Sequence, residues 1–110
     1  MATTSNDDEI KIKPAIPSLK CEIMLNNALA YLAKQSLKQA RIMNDQFYEI
    51  IGILEKFPGI GTRCENGRRK IKLGKFSYNI FYRENEDNIE ILGIWHTSRG
   101  TEFEEQEVNP

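Results

Sequence analysis

The chain is poor in the residues that most often announce a chemistry. It has one histidine and one tryptophan. Its two cysteines, Cys21 and Cys64, stand far apart, with no CxxC and no metal-like Cys/His spacing. They read as two reduced cytosolic thiols rather than as a disulfide or metal ligands. No metal or cofactor is expected. No apolar run approaches the roughly 18 residues of a membrane span, so no membrane partner is expected. The opening MATTSNDDEI is polar and acidic, unlike a secretory signal, and residues 1–8 read as a disordered lead-in. The expected location is the cytoplasm. There is no internal repeat and no low-complexity segment.

Net charge is also nearly absent, −1 at pH 7, so the whole chain carries no nucleic-acid signal. The distribution is uneven, however. Arg63, Arg68, Arg69, Lys70, Lys72 and Lys75 crowd together with only Glu65 against them. From Glu84 onward the balance reverses, and the tail TEFEEQEVNP carries Glu102, Glu104, Glu105 and Glu107. The basic run could hold an acidic partner, either another protein's tail or this chain's own C-terminus. The plainer reading is two neighbouring segments that neutralise each other.

With 110 residues the chain suffices for one domain. It is placed at 9–99, with an acidic, loose tail at 100–110. Glu9–Lys13 alternates Ile10 and Ile12 with lysines, a half-buried strand, which Pro14 and Pro17 should end. Ser18 opens a helix with Cys21, Leu25, Ala28, Leu29 and Leu32 on one face, running to about Lys34. Ser36-Leu37-Lys38-Gln39 has the spacing of a capping box and starts a second helix. Its stripe is Leu37, Ala40, Met43, Phe47, Ile50, Ile51 and Leu54, and Pro58 and Gly59 stop it. The joint is so short that a helical hairpin follows.

A glycine-punctuated loop leads to strands. Ile71 and Leu73 oppose Lys70 and Lys72. After a turn at Gly74-Lys75, Phe76, Tyr78, Ile80 and Tyr82 alternate with Ser77, Asn79, Phe81 and Arg83. Phe76, Tyr78 and Tyr82 are expected in the core. Ile89–Trp95 is apolar on both faces except for Glu90, as in a strand inside a sheet or under a helix. The expected fold class is α+β, β-α-α-β-β-β, a helical hairpin packed on a small antiparallel sheet.

These residues carry a resemblance. The second helix and its exit place Ala40, Leu54, Pro58 and Gly61 as in the pattern where an alanine-bearing helix runs into "L…P..G". Arg69, Leu73, Gly74, Tyr78, Tyr82, Arg83, Asp87, Ile89, Ile94, His96 and Arg99 resemble the strand pattern of the RelE/ParE toxin superfamily, toxins of type II toxin–antitoxin pairs and of plasmid stabilisation systems. The resemblance spans most of the chain and implies the fold just given. It also implies a cognate antitoxin, ParD-like or RelB-like, whose helix lies between the hairpin and the sheet against stretches 19–32 and 40–54. A homodimer or a heterotetramer with the antitoxin is the implied assembly.

The superfamily divides by target. ParE-type members poison DNA gyrase by binding; RelE-type members cleave mRNA on the ribosome through 2′-OH attack. Cleavage needs a base, cations at the phosphate and an acid for the leaving oxygen. Lys70, Lys72, His96 and Arg99 are the candidates, the lysines because one pleat puts both on one face. Against this, Asn79 stands where RelE-type enzymes tend to carry an arginine, and the acidic tail would repel RNA. The preferred expectation is therefore a ParE-like gyrase inhibitor rather than an enzyme. An mRNA endoribonuclease acting with the ribosome, and a non-toxic homologue that only binds its antitoxin, are the alternatives. Arg68, Arg69, Trp95 and Arg99 are the expected target- or antitoxin-binding residues. Each of these candidates also has a plainer role, as solvent-face cations, a structural histidine or a core-edge aromatic.

Overall fold

Every predicted strand but the first falls where its two-residue period puts it. The computed structural model describes residues 12–99. The lead-in 1–8, residues 9–11 of the expected first strand and the tail 100–110 lie outside the described residues. The elements are β1 (Ala15–Pro17), α1 (Leu19–Gln35), α2 (Leu37–Lys56), β2 (Thr62–Arg63), β3 (Arg69–Lys72), β4 (Tyr78–Glu84) and β5 (Ile89–His96). They build one sheet in the order β1-β5-β4-β3-β2. β1 runs parallel to β5, and the other pairs are antiparallel. This is the expected α+β arrangement of a helical hairpin on a sheet.

Of the strand expected at Glu9–Lys13, only Ile12 and Lys13 are described, and the first described strand is Ala15–Pro17. Ile12 is exposed coil, and the strand lies between the two prolines instead. The ladder explains why prolines are tolerated. The Ile89 N–H donates to the Pro14 carbonyl, and the Ser18 N–H donates to the Ile91 carbonyl. Neither contact asks a proline for a donor. β1 is an edge strand, and the Glu55 carboxylate of α2 accepts the outward Ala15 N–H at 2.8 Å. That contact blocks the edge against further pairing.

The helices follow their caps. The Ser18 hydroxyl accepts the Cys21 N–H at 3.0 Å, and the Ser36 hydroxyl accepts the Gln39 N–H at 3.1 Å. The second half of the expected capping box is absent. The Ser36 N–H donates instead to the Leu32 carbonyl, because Ser36 closes α1 while opening α2. One residue thus serves both ends and fixes the hairpin.

The core lies between the hairpin and the inner face of the sheet. Cys21, Leu25, Met43, Phe47 and Leu54 meet Ile80, Tyr82, Ile89, Ile91 and Ile94 there. Leu37 departs from its predicted stripe and is 58% exposed. β2, unpredicted, is a two-residue strand inside the expected loop. A register shift at Phe81/Tyr82 pairs Phe81 with Gly93 and Tyr82 with Ile91, leaving Leu92 as an extra residue. The bulge accounts for β5 being apolar on both sides. Phe81 and Leu92 form a second cluster with Met24, Cys64 and Trp95.

Candidate functional site

Cross-strand register decides which candidate residues can act together. Lys72 pairs with Asn79, and Asn79 with Trp95. Lys70 pairs with Phe81, and Phe81 with Gly93. These two rows lie on the outer face of the sheet, away from the helices, because Ile80 and Tyr82 between them point into the core. Lys70 and Lys72 therefore share a face, as the period requires. The Lys72 ammonium donates to the Phe76 carbonyl at 2.9 Å across the β3–β4 turn. Arg68 lies on the same face, is 9% exposed, and donates from Nε to the Glu65 carbonyl.

His96 follows Trp95 and turns the other way. It faces the helices, edge-on to Tyr78 with ring centroids 4.9 Å apart. The Ser98 N–H donates to Nδ1 at 3.0 Å, so in the neutral ring the proton sits on Nε2. The sheet thus separates His96 from Lys70 and Lys72. Arg99 stands at the margin, its guanidinium 5.0 Å over the Trp95 ring.

Arg69 points inward as well. Its Nη1 donates to the Gly59 and Gly61 carbonyls at 3.2 and 2.8 Å. Beside it the Tyr82 hydroxyl accepts the Gly61 N–H at 2.9 Å and donates to the Pro58 carbonyl at 2.8 Å. Burial raises the Tyr82 phenol above its usual range, and the Gly61 N–H and Arg69 only partly offset this. Arg69 and Tyr82 together hold the Pro58–Gly61 exit of α2. The basic run is consequently two sets: Arg69 braces a loop, while Arg68, Lys70 and Lys72 lie across the sheet from it.

Two of the surface depressions involve these elements. One, of about 470 Å³, runs over the hairpin between α1 and α2, with Leu29, Ala30 and Ala33 of α1 facing Leu37, Ala40, Arg41, Asn44 and Asp45 of α2. The alanines leave its floor low, and Leu37 forms an apolar rim. Helical spacing alone conceals this groove, because it puts Leu37 on the apolar stripe while the fold leaves Leu37 58% exposed. The other, of about 230 Å³, lies between α1 and the end of the sheet. It brings Asn27 and Tyr31 to Tyr78, His96 and Arg99. Among the described residues no group of three His, Cys, Asp or Glu side chains is placed to hold a metal. No described helix is long and apolar enough to cross a membrane.

The family model described as "ParE toxin of type II toxin-antitoxin system, parDE" matches residues 24–100. A solved structure described as "Chromosomal ParDE TA system from P. aeruginosa" superposes with a TM-score of 0.68 at 19% identity. The match covers 78% of this chain and 97% of that chain. At that identity the likeness speaks for the fold. No curated protein matches the sequence.

Proposed function

Because the chain belongs to the ParE toxin family of type II toxin–antitoxin systems, we propose that it stops growth by binding DNA gyrase, without catalysis, and is neutralised by a cognate ParD-like antitoxin in the cytoplasm. The observation that carries the binding reading is the division of polar groups by the sheet. RNA cleavage needs its acid, base and phosphate-binding cations within hydrogen-bond reach of one phosphate. Lys70 and Lys72 lie on the outer face, His96 lies on the inner one, and Asn79 occupies the row between Lys72 and Trp95.

The hairpin groove is the place for the antitoxin. Its small side chains let another helix approach, and Leu37 offers an apolar contact at its rim. An amphipathic helix buries its i, i+3, i+4 and i+7 residues in such a groove. This site lies between the two helices rather than between hairpin and sheet.

Expression in a bacterial host tests the target. Filamentation with an induced DNA-damage response is expected; it should persist in His96→Ala and weaken at most in Arg99→Ala, whose cation is among the expected target-binding residues. Rapid loss of translation with cut mRNA, abolished by those substitutions, would replace this reading with the ribonuclease one. Absence of any growth defect would leave only antitoxin binding. For the groove, Ala30→Arg is expected to keep toxicity but escape rescue. Antitoxin affinity should fall about tenfold or more, the equivalent of about 1.4 kcal/mol. Unchanged rescue would move the antitoxin elsewhere.

A further inference from the structure

The outward side of α2 carries a charge pattern that the folded chain leaves unused. Leu37, Arg41, Asp45, Tyr48 and Gly52 recur at three- and four-residue spacing, so they form one line along the helix, and all are exposed. Leu37 and Tyr48 are 58% and 52% exposed, which leaves large apolar surface on a line that faces solvent. Lys38 and Glu49 flank the line and are exposed too. The bases Lys38 and Arg41 stand in its first half, the acids Asp45 and Glu49 in its second. None of these charges is in an ion pair or a side-chain hydrogen bond among the described residues.

Within a single helix this order is unfavourable. Lys38 stands near the positive end of the helix dipole, in a first turn that holds no acid. Asp45 and Glu49 repel each other at i, i+4, and a base that precedes its acid, as Arg41 precedes Asp45, is in the weaker orientation. Turned end to end against a copy of itself, the same order becomes complementary. A two-fold axis crossing α2 between Arg41 and Asp45 sets Arg41 of each copy against Asp45 of the other. It also brings Lys38 opposite Glu49 and Leu37 beside Tyr48, because the midpoints of all these pairs fall at or beside Met43. Room for the contact exists. The groove beside the line is lined by Ala30, Ala33 and Ala40, and at about 470 Å³ it accommodates the Tyr48 ring of a second copy. At Gly52 nothing lies within 4 Å of where a Cβ would stand, so the bare backbone clears the second copy's hairpin tip.

We infer that the free chain pairs with a second copy of itself, α2 antiparallel to α2, through reciprocal Arg41–Asp45 and Lys38–Glu49 contacts, with Tyr48 of each copy in the other's hairpin groove. A two-fold contact of this kind uses every pair twice. The overlap from Leu37 to Glu49 spans only about 18 Å of helix, so the interface is small and the pair exchanges with single chains. The pairing needs neither antitoxin nor target. Where the groove also receives the antitoxin, as proposed above, the second copy and the antitoxin compete for it; that consequence alone rests on the antitoxin reading.

Sedimentation velocity of the purified chain is measured from about 1 μM to about 1 mM, with circular dichroism as the control for folding. The parent is expected to move from the mass of one chain towards that of two. Arg41→Glu and Asp45→Arg each put like charges into both reciprocal contacts, and each should weaken association about tenfold or more. An equal mixture of the two variants should associate again, because each base then meets an acid across the axis. An effect confined to one helix cannot be repaired by a second chain. A parent that stays single up to about 1 mM, a pair that neither substitution weakens, or variants that do not recover on mixing each overturn the inference. Rescue by the antitoxin is a separate readout, so failure of self-pairing leaves the proposed function standing.

Discussion

The Tyr82 phenol serves two loop positions at once, taking the Gly61 N–H and giving its proton to the Pro58 carbonyl. Tyr82→Phe keeps the ring and leaves both partners without it. A loss of about 1–3 kcal/mol is expected for such a buried group, read as a lower midpoint in urea. Gly61 is closed to any side chain, because a Cβ there would stand 2.8 Å from the Lys70 carbonyl and press on Tyr82. Gly61→Ala should therefore destabilise by about as much as an overpacked core site, 1–3 kcal/mol. The cysteines differ for similar reasons. Burial, with a smaller push from the Glu22 carboxylate, lifts the Cys21 thiol from 9.0 to about 12, while Cys64 is half-buried. In the native protein a thiol reagent should modify Cys64 quickly and Cys21 only on unfolding. The raised Cys21 value favours the protonated, folded form. That stability is complete below pH 9 and is lost as pH climbs toward 12. The raised Tyr82 value acts in the same direction. Melting temperature should fall steeply over this range, and less steeply in Cys21→Ala.

Among the elements, the hairpin joint concentrates the most in one residue. Ser36 ends α1 through its N–H and starts α2 through its hydroxyl. Ser36→Ala leaves the first contact and removes the second, at about 1 kcal/mol, measurable by thermal melting. Both helices were legible in the sequence because a 3.6-residue period and a serine cap encode burial and start point together. β4 and β5 were legible by their two-residue period. The strand Ala15–Pro17 is hidden in the sequence because Pro14 and Pro17 flank and end it. At an edge they only need to accept, and that depends on a strand 72 or more residues later, which local sequence does not reveal. β2 is too short to have a period at all. Leu37 fits the helical stripe by spacing, yet its first-turn position carries it beyond the core and onto the rim of the groove.

At the level of the whole molecule, the sheet acts as a partition. Alternation placed Lys70 and Lys72 on one face correctly. It could not place His96 relative to them, because that depends on the register between β3, β4 and β5, and a one-residue slip exchanges the faces. Arg69 shows the same limit: its partners are carbonyls of a loop, which leave no pattern in the sequence. The partition also separates tests of function. Substitutions on the hairpin, such as Ala30→Arg, should alter rescue by the antitoxin. Lys70→Glu/Lys72→Glu, on the other side of the sheet, should leave rescue through the hairpin groove intact.

The pairing of β1 with β5 has a consequence for how the protein is made. Among the described residues Ala15–Pro17 pairs only with Ile89–Ile91, and β5 also supplies Ile89, Ile91 and Ile94 to the core. During synthesis the hairpin emerges early, but its apolar face has no completed sheet to rest on until the last strand leaves the ribosome. Contacts of such long sequence separation form late. The completed sheet, and any surface that depends on it, therefore exists only once β5 has been made.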